Sequence, residues 1–146
     1  MTATQRGLCL AYGLIAALAL IATWSQNLAY FGGGPLDAFV RFLIETKANP
    51  ASRSITVDIG FFLLAAAVWM VVEARKLKIR FVWLYVIFGY LVAISVTFPL
   101  FLIAREMRLA VQDGAPPPAR LTASDLIGLG LVAASAAALS WFLLLS

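Results

Sequence analysis

The fold is decided by residues 49–109, which read NPASRSITVDIGFFLLAAAVWMVVEARKLKIRFVWLYVIFGYLVAISVTFPLFLIAREMRL. Residues 55–72 and 81–104 are two apolar runs in this stretch. Each is long enough to cross a bilayer as a helix, which takes about 20 mostly apolar residues. The residues between them, 74–80, include four basic side chains. We therefore predict two membrane-spanning helices joined by a short basic loop.

The composition extends this prediction to four spanning helices. The chain has 146 residues, and 63% of them are hydrophobic and 12% charged, whereas soluble domains carry roughly 25% charged residues. Four apolar segments account for the difference, at about residues 7–26, 54–73, 81–104 and 125–145. The predicted fold is an all-α membrane protein, with four transmembrane helices in a small bundle. We expect a single integral membrane domain over residues 1–146.

Rare and absent residue types narrow the chemistry. The chain has no histidine and one cysteine, Cys9. His-based catalysis, the usual zinc sites and an internal disulfide are therefore excluded. The net charge of +4 comes from basic residues at the predicted helix ends, which fits lipid headgroups rather than nucleic acid. We predict no metal and no cofactor, although a bound lipid or other apolar molecule is compatible with the composition.

A short amphipathic helix is predicted between the first and second spans. Pro35 follows three glycines and suits a first helical position. Apolar residues recur at helical spacing on one face, and Asp37, Arg41 and Glu45 follow at i, i+4 steps on the other. A helix over about residues 35–47 is too short to span, so we expect it in the membrane interface. A lid over a pocket is the alternative.

The last span follows a linker that contains an Asp-Gly pair and three prolines within residues 113–118. This composition is typical of a turn and an extended segment. Thr122 and Asp125 match a capping box, which explains Asp125 as part of a helix start. Small residues then recur at four-residue spacing at Gly130, Ala134 and Ala138. Such a face permits close helix packing in lipid, and it predicts packing within the bundle, self-association or contact with a membrane-protein partner.

Asp58 and Pro99 are unexpected inside spanning helices, where charges and helix breakers are costly. If the two helices run antiparallel, the register places Asp58 at the depth of Ser95. Pro99 leaves the carbonyl oxygen of Ser95 without its helical donor, and the hydroxyl of Thr97 is nearby. This layer is a candidate polar pocket with Asp58 as the candidate catalytic residue. In the alternative interpretation, Asp58 only stabilises the helix start and Pro99 only shapes the bundle.

Aromatic side chains extend this hypothesis to an apolar slot. Phe62 and Trp69 share a helical face with Asp58, and Tyr90 lies seven residues before Thr97 on the other helix. If these faces meet, they enclose a slot for a flat or elongated apolar molecule, whereas ordinary packing is the alternative. The candidate ligand-pocket residues are Asp58, Phe62, Trp69, Tyr90, Ser95, Thr97 and Pro99.

Glu73 lies at the loop end of the same helix. We expect it to form an ion pair with Arg75 or Arg80 of the loop. A proton relay to Asp58 is disfavoured, because the two carboxylates are fifteen residues apart and no ionisable group lies between them. If each of the four apolar segments crosses the membrane once, five basic residues lie on the side of the N-terminus and six on the other side. The positive-inside rule then does not decide the orientation. The basic loop favours both termini on the cytoplasmic side.

Several short runs carry a family resemblance. They are KANP at 47–50, VD at 57–58, WMVVEAR at 69–75 and FPLFLIARE at 98–106. In this order, the chain resembles the bacterial membrane family catalogued as domain of unknown function 2834, over roughly residues 12–109. The resemblance implies a small multi-pass protein of the bacterial inner membrane, and it implies no activity, cofactor or catalytic residue. The last predicted helix lies beyond it.

Two classes of function fit these predictions. The first is a non-enzymatic accessory or apolar-ligand-binding protein of the membrane. The alternative is a small membrane enzyme that acts on a lipid or isoprenoid, with Asp58 as acid or base after burial has shifted its pKa. A transporter is disfavoured, because the sequence shows no internal repeat of the kind that builds inverted halves.

Overall fold

The computed structural model describes residues 1–112 and 121–145, and these residues are almost entirely helical. The elements are α1 (Ala3–Asn27), a 3₁₀ turn (Leu28–Gly33), α2 (Pro35–Glu45), α3 (Pro50–Leu77), α4 (Val82–Phe88), a π-helical turn (Gly89–Ala93), α5 (Ile94–Leu109) and α6 (Ala123–Leu145). The described part of the chain contains no β-strand. The predicted linker with three prolines, at residues 113–118, lies outside the described residues.

Within the described residues, four helical segments are long and apolar enough to cross a membrane. They are Ala3–Gly33, Pro50–Leu77, Val82–Leu109 and Ala123–Leu144. The prediction of an all-α, multi-pass membrane protein is therefore confirmed, and the four segments correspond to the four apolar runs of the sequence.

Two of the helix starts follow signals that the sequence contains. Asn49 caps α3, since its side-chain oxygen accepts a hydrogen bond from the backbone N–H of Ser52 at 2.8 Å, and Pro50 is the first helical residue. At the start of α6, the Asp125 carboxylate accepts from the backbone N–H of Thr122 at 2.8 Å, and the Thr122 hydroxyl accepts from the N–H of Asp125 at 3.3 Å. This reciprocal pair is the predicted capping box.

The segment Val82–Leu109 is not one straight helix, which corrects the predicted simple hairpin. Ala93 has an extended backbone (φ −178°, ψ 137°) where the π-helical turn meets α5. The ring centroids of Tyr85 and Phe101 are 5.6 Å apart, whereas sixteen residues of straight helix would place their backbones about 24 Å apart. α5 therefore folds back along α4, and the two helices run antiparallel on either side of Ala93.

Local contacts at the fold-back explain why the chain can reverse there. A Cβ atom added to Gly89 would lie 2.9 Å from the hydroxyl oxygen of Thr97, so only glycine permits this close approach. The carbonyl oxygen of Val92 accepts a hydrogen bond from the Trp24 indole at 3.3 Å, and that of Ala93 accepts from the Thr97 hydroxyl at 3.4 Å. Backbone groups that leave a helix within a membrane need such partners.

α3 and α5 run parallel, as their contacts show. The rings of Trp69 and Phe101 are 5.9 Å apart, and Glu73 bonds to Arg105. Both pairs are 32 positions apart in sequence. A constant difference means that residue numbers rise in the same direction along both helices, so the ends of α3 and α5 lie together.

α1 runs antiparallel to α5. Near the end of α1, Trp24 bonds to Val92, and nearer its start Gly13 lies against Ile103. The beginning of α1, the end of α3, the beginning of α4 and the end of α5 therefore share one end of the molecule. We call this the N-terminal end and the opposite end, where α2 lies, the α2 end. Helices α1, α3, α4 and α5 form the core bundle.

The centre of the core bundle lies where α3, α4 and α5 meet. Met70 and Phe101 are fully buried there, with 0% of their surfaces exposed. Ala66 and Ala74 are also buried on α3, and their small side chains let the neighbouring helices approach closely. The buried residues of α3 therefore lie in its second half, toward the N-terminal end.

α2 is the predicted short amphipathic helix. It begins at Pro35, one residue after Gly34, whose φ of +96° suits glycine. Arg41 pairs with Asp37 at 2.8 Å, and the Tyr30 hydroxyl of the 3₁₀ turn donates to Glu45 at 2.6 Å. The apolar residues of the predicted face are exposed: Leu36, Phe39, Val40, Leu43 and Ile44.

α6 differs from the other long helices. Each of its side chains from Ala123 to Leu144 is exposed. No residue of α6 from Ala123 to Leu144 is buried, so in a membrane much of its surface meets lipid or another protein.

Candidate functional site

A group of charged side chains lies at the N-terminal end, between α3 and α5. The Arg105 guanidinium donates from Nε to Glu73 at 2.9 Å and from Nη1 to Glu106 at 2.9 Å. The exposed fractions of these side chains are 28% for Arg105, 15% for Glu73 and 10% for Glu106. Lys76 completes the group, with Nζ 3.8 Å from the second carboxylate oxygen of Glu73. We call these four residues the Arg105 cluster.

The parallel packing of α3 and α5 positions this cluster. Arg105 is 32 residues beyond Glu73, so it lies at the same level on the neighbouring helix. The guanidinium carbon lies 5.9 Å from the ring centroid of Trp69, in the range of a cation–π contact. From α1, Cys9 and Tyr12 lie close enough to Glu106 to interact with it electrostatically. Three helices thus converge on one set of charges.

The charges of the Arg105 cluster balance. Two carboxylates face one guanidinium and one ammonium group, so the formal sum is zero. Charges removed from water are tolerated when they are paired and hydrogen-bonded in this way. Each carboxylate already has a cationic partner, which favours a role in joining α3 to α5 over a role in proton transfer.

The partners of Glu73 differ from the predicted ones. Glu73 contacts Arg105 and Lys76, and neither Arg75 nor Arg80. The guanidinium carbon of Arg80 lies 5.6 Å from the ring centroid of Phe81 instead. Sequence reasoning missed Arg105 because a simple hairpin places it at the other end of the bundle, far from Glu73.

The predicted polar pocket around Asp58 is not formed. Asp58 and Ser95 are both exposed, and Asp58 makes no hydrogen bond or ion pair within the described residues. Because residues of α3 lie level with residues 32 positions later in the chain, Asp58 is level with position 90. Ser95 is five residues beyond that position, or about 7–8 Å along the helix axis. Thr97 and Pro99 are buried, and the Thr97 hydroxyl bonds to Ala93. The structure therefore does not bring Asp58 to the freed carbonyl.

Two residues of the predicted apolar slot, Phe62 and Trp69, contact aromatic rings of α5. The centroid of Phe98 lies 6.3 Å from that of Phe62 and 5.7 Å from that of Trp69. Phe101 continues the series against Trp69. Tyr90, predicted to line the slot, is 70% exposed. Phe62 and Trp69 thus contact Phe98 of α5 and not Tyr90, and 54% and 40% of their own surfaces remain exposed.

Metal ligands are sparse in the described residues. No group of three or more His, Cys, Asp or Glu side chains within residues 1–112 and 121–145 is placed to hold a metal ion. Two carboxylates, Glu73 and Glu106, are bridged by Arg105.

Comparison with protein families identifies the core bundle. The sequence model of one family matches residues 11–107, which include α2, α3, α4, residues 11–27 of α1 and residues 94–107 of α5. The chain belongs to the family described as protein of unknown function DUF2834. The predicted resemblance is therefore confirmed, and α6 lies outside the matched residues. No curated protein and no solved structure matches the chain.

Proposed function

We propose that this DUF2834 protein is a non-enzymatic accessory protein of the membrane, in which α6 contacts a partner. The observation that carries this proposal is the exposure of α6 from Ala123 to Leu144. Each helix of the core bundle has buried residues, whereas α6 has none from Ala123 to Leu144 and lies outside the family match. The ion pairs of the Arg105 cluster favour an accessory role over acid–base catalysis, and the contacts of Phe62 and Trp69 with Phe98 favour packing over ligand binding at the predicted slot.

The contact face we assign to α6 is the stripe of Gly130, Ala134 and Ala138. These residues are exposed, and small side chains at four-residue spacing let a second helix approach closely in lipid. Apolar surface alone would favour lipid, because lipid tails are as apolar as leucine. Close backbone packing is what would distinguish a protein partner from lipid at this face.

Photocrosslinking tests this proposal. A photoreactive amino acid at Ala134 is expected to form a protein adduct in intact membranes, and mass spectrometry of the adduct distinguishes a second copy from another membrane protein. Val132 provides the matched control, because it is equally exposed and two residues, about 200°, away around the helix. Protein adducts of equal yield from both positions, or lipid adducts alone, would contradict the proposal.

The orientation is also part of the proposal. Seven basic residues lie at the N-terminal end: Arg6, Arg75, Lys76, Lys78, Arg80, Arg105 and Arg108. Three lie at the α2 end: Arg41, Lys47 and Arg53. The fold-back places Arg105 and Arg108 at the N-terminal end, so the basic residues are no longer evenly divided between the two ends. Arg120 is outside the described residues. By the positive-inside rule, this bias favours a cytoplasmic N-terminal end.

The same geometry changes the expectation for the C-terminus. α4 begins and α5 ends at the N-terminal end, so the chain leaves the core bundle there. An α6 that crosses the membrane would therefore start at the N-terminal end and finish on the other side. The sequence alone favoured both termini in the cytoplasm, whereas the fold-back favours termini on opposite sides. Reporter fusions at the two termini test this, and activity of a cytoplasmic reporter at both would contradict the proposed orientation.

A further inference from the structure

The turn between α3 and α4 contains a basic depression that the proposed accessory role does not use. Its volume is about 360 Å³, and it is lined by Ala74, Arg75, Lys78, Ile79, Arg80, Phe81, Val82 and Trp83. This volume lies within the usual range for small-ligand sites, about 300–1,000 Å³. We propose that this depression binds the phosphate headgroup of an anionic phospholipid, and we call it the headgroup site.

Within the described residues, no carboxylate pairs with the cations of the headgroup site. Arg75 and Lys78 form no ion pair with a carboxylate of the described residues, and the described contact of Arg80 is with the ring of Phe81. Lys76 and Arg105, nearby, are instead paired with Glu73. Three positive charges around one concave surface therefore favour an anion supplied from outside the chain.

Exposed aromatic side chains place this anion at the membrane interface. Phe81 and Trp83 line the depression, and 70% and 56% of their surfaces are exposed. Aromatic rings of this kind concentrate at the level of lipid headgroups. The apolar helix α4 begins at Val82, between these two residues, so acyl chains of a bound lipid can continue along it. A soluble anion would gain nothing from this adjacent apolar surface, which is why we assign a lipid.

The proposed orientation strengthens the assignment, and the inference rests on the proposed function in this respect alone. A cytoplasmic N-terminal end places the headgroup site at the leaflet that carries anionic lipids, which attract Lys and Arg side chains near the surface. The closing experiment uses vesicles with the same lipids in both leaflets. Its outcome is then independent of the orientation and of any partner of α6.

The test compares quenching of Trp83 fluorescence by two brominated lipids. The protein is reconstituted in phosphatidylcholine vesicles that contain an equal mole fraction of either brominated phosphatidylglycerol or brominated phosphatidylcholine. The fluorescence of Trp83 is obtained by subtracting the signal of the Trp83→Phe variant from that of the unaltered protein. This subtraction removes the signals of the other tryptophans. We expect the anionic lipid to be enriched at least about threefold at this site.

Two double variants with the same change of charge separate a site from diffuse attraction. Lys78→Gln with Arg80→Gln removes two cations of the headgroup site and is expected to lower the enrichment to about one. Arg6→Gln with Arg108→Gln removes two exposed cations from the same end outside the depression, and it should leave the enrichment unchanged. Equal quenching by both lipids in the unaltered protein, or an equal loss in both double variants, would overturn the proposal.

A soluble competitor distinguishes a lipid from a free anion. Glycerol phosphate carries the same phosphate chemistry without acyl chains, and it is added to protein in vesicles of the anionic brominated lipid. We expect the quenching to persist, because the bound lipid is also held by its chains. Loss of the quenching at millimolar glycerol phosphate would identify a site for a soluble anion and overturn the lipid assignment.

Discussion

The fold-back at Ala93 can be tested by one distance measurement. Cysteines at Trp83 and Leu100, both exposed, would carry spin labels in a Cys9→Ser background that removes the native thiol. If the segment were a straight helix, the seventeen intervening steps would separate the two backbones by about 26 Å. In the folded structure, Leu100 is level with residue 86, so the axial offset is only about 4–5 Å.

The two alternatives are therefore well separated. Neighbouring helix axes lie about 8–10 Å apart, so the fold-back predicts a backbone distance near 10 Å. Pulsed dipolar spectroscopy, with line broadening for the shortest distances, measures the label pair in vesicles. Ile55 and Val72 form the matched control: both are exposed, both lie on the continuous helix α3, and their separation is also seventeen residues. If the Trp83–Leu100 pair gave the distance of the control, near 26 Å, the reasoning would be refuted.

Three further predictions concern individual side chains, each checked by thermal unfolding in detergent. Phe101→Ala empties a fully buried position and should lower the free energy of unfolding by about 3–5 kcal/mol, whereas the exposed Phe61 should tolerate the same change. Equal losses of stability in the two variants would argue against the described core. Glu73→Gln should cost about 1–3 kcal/mol, since Arg105 loses one of two carboxylate partners in a partly exposed cluster; an unchanged unfolding temperature would rule out a structural role for the pair. Asp58→Asn should leave both unfolding and co-purified lipid unchanged, and loss of either would revive the hypothesis of a site at this carboxylate.

Local sequence signals determined the helices and several of their ends. The apolar runs predict four long helices because a spanning helix must hide its backbone polar groups within itself. Asn49 with Pro50, and Thr122 with Asp125, mark helix starts through hydrogen bonds that span only three residues. The short helix from Pro35 was also predictable, because its charged and apolar faces follow helical spacing. These features depend on near neighbours in the chain and on nothing else.

The fold-back and the sites depend on contacts between distant residues. Hydropathy is the same for a straight apolar segment and a folded one, so the run 81–104 predicts a single crossing. Gly89 was the signal within that run, but its meaning depends on Thr97 lying against it and on Trp24 of α1 bonding to the Val92 carbonyl. These contacts exist only after the helices have packed.

Some features of residues 49–109 thus depend on near neighbours in the chain, and others depend on contacts between distant residues. Sequence alone identified a multi-pass membrane protein, its helices and its family resemblance, because burial of apolar surface and capping are readable along the chain. Tertiary structure decided that α5 returns beside α4, that Glu73 pairs with Arg105, and that Asp58 has no partner among the described residues. The physical reason is register: a pair of charges or rings meets only when two helices lie at one level, and the direction of α5 sets that level.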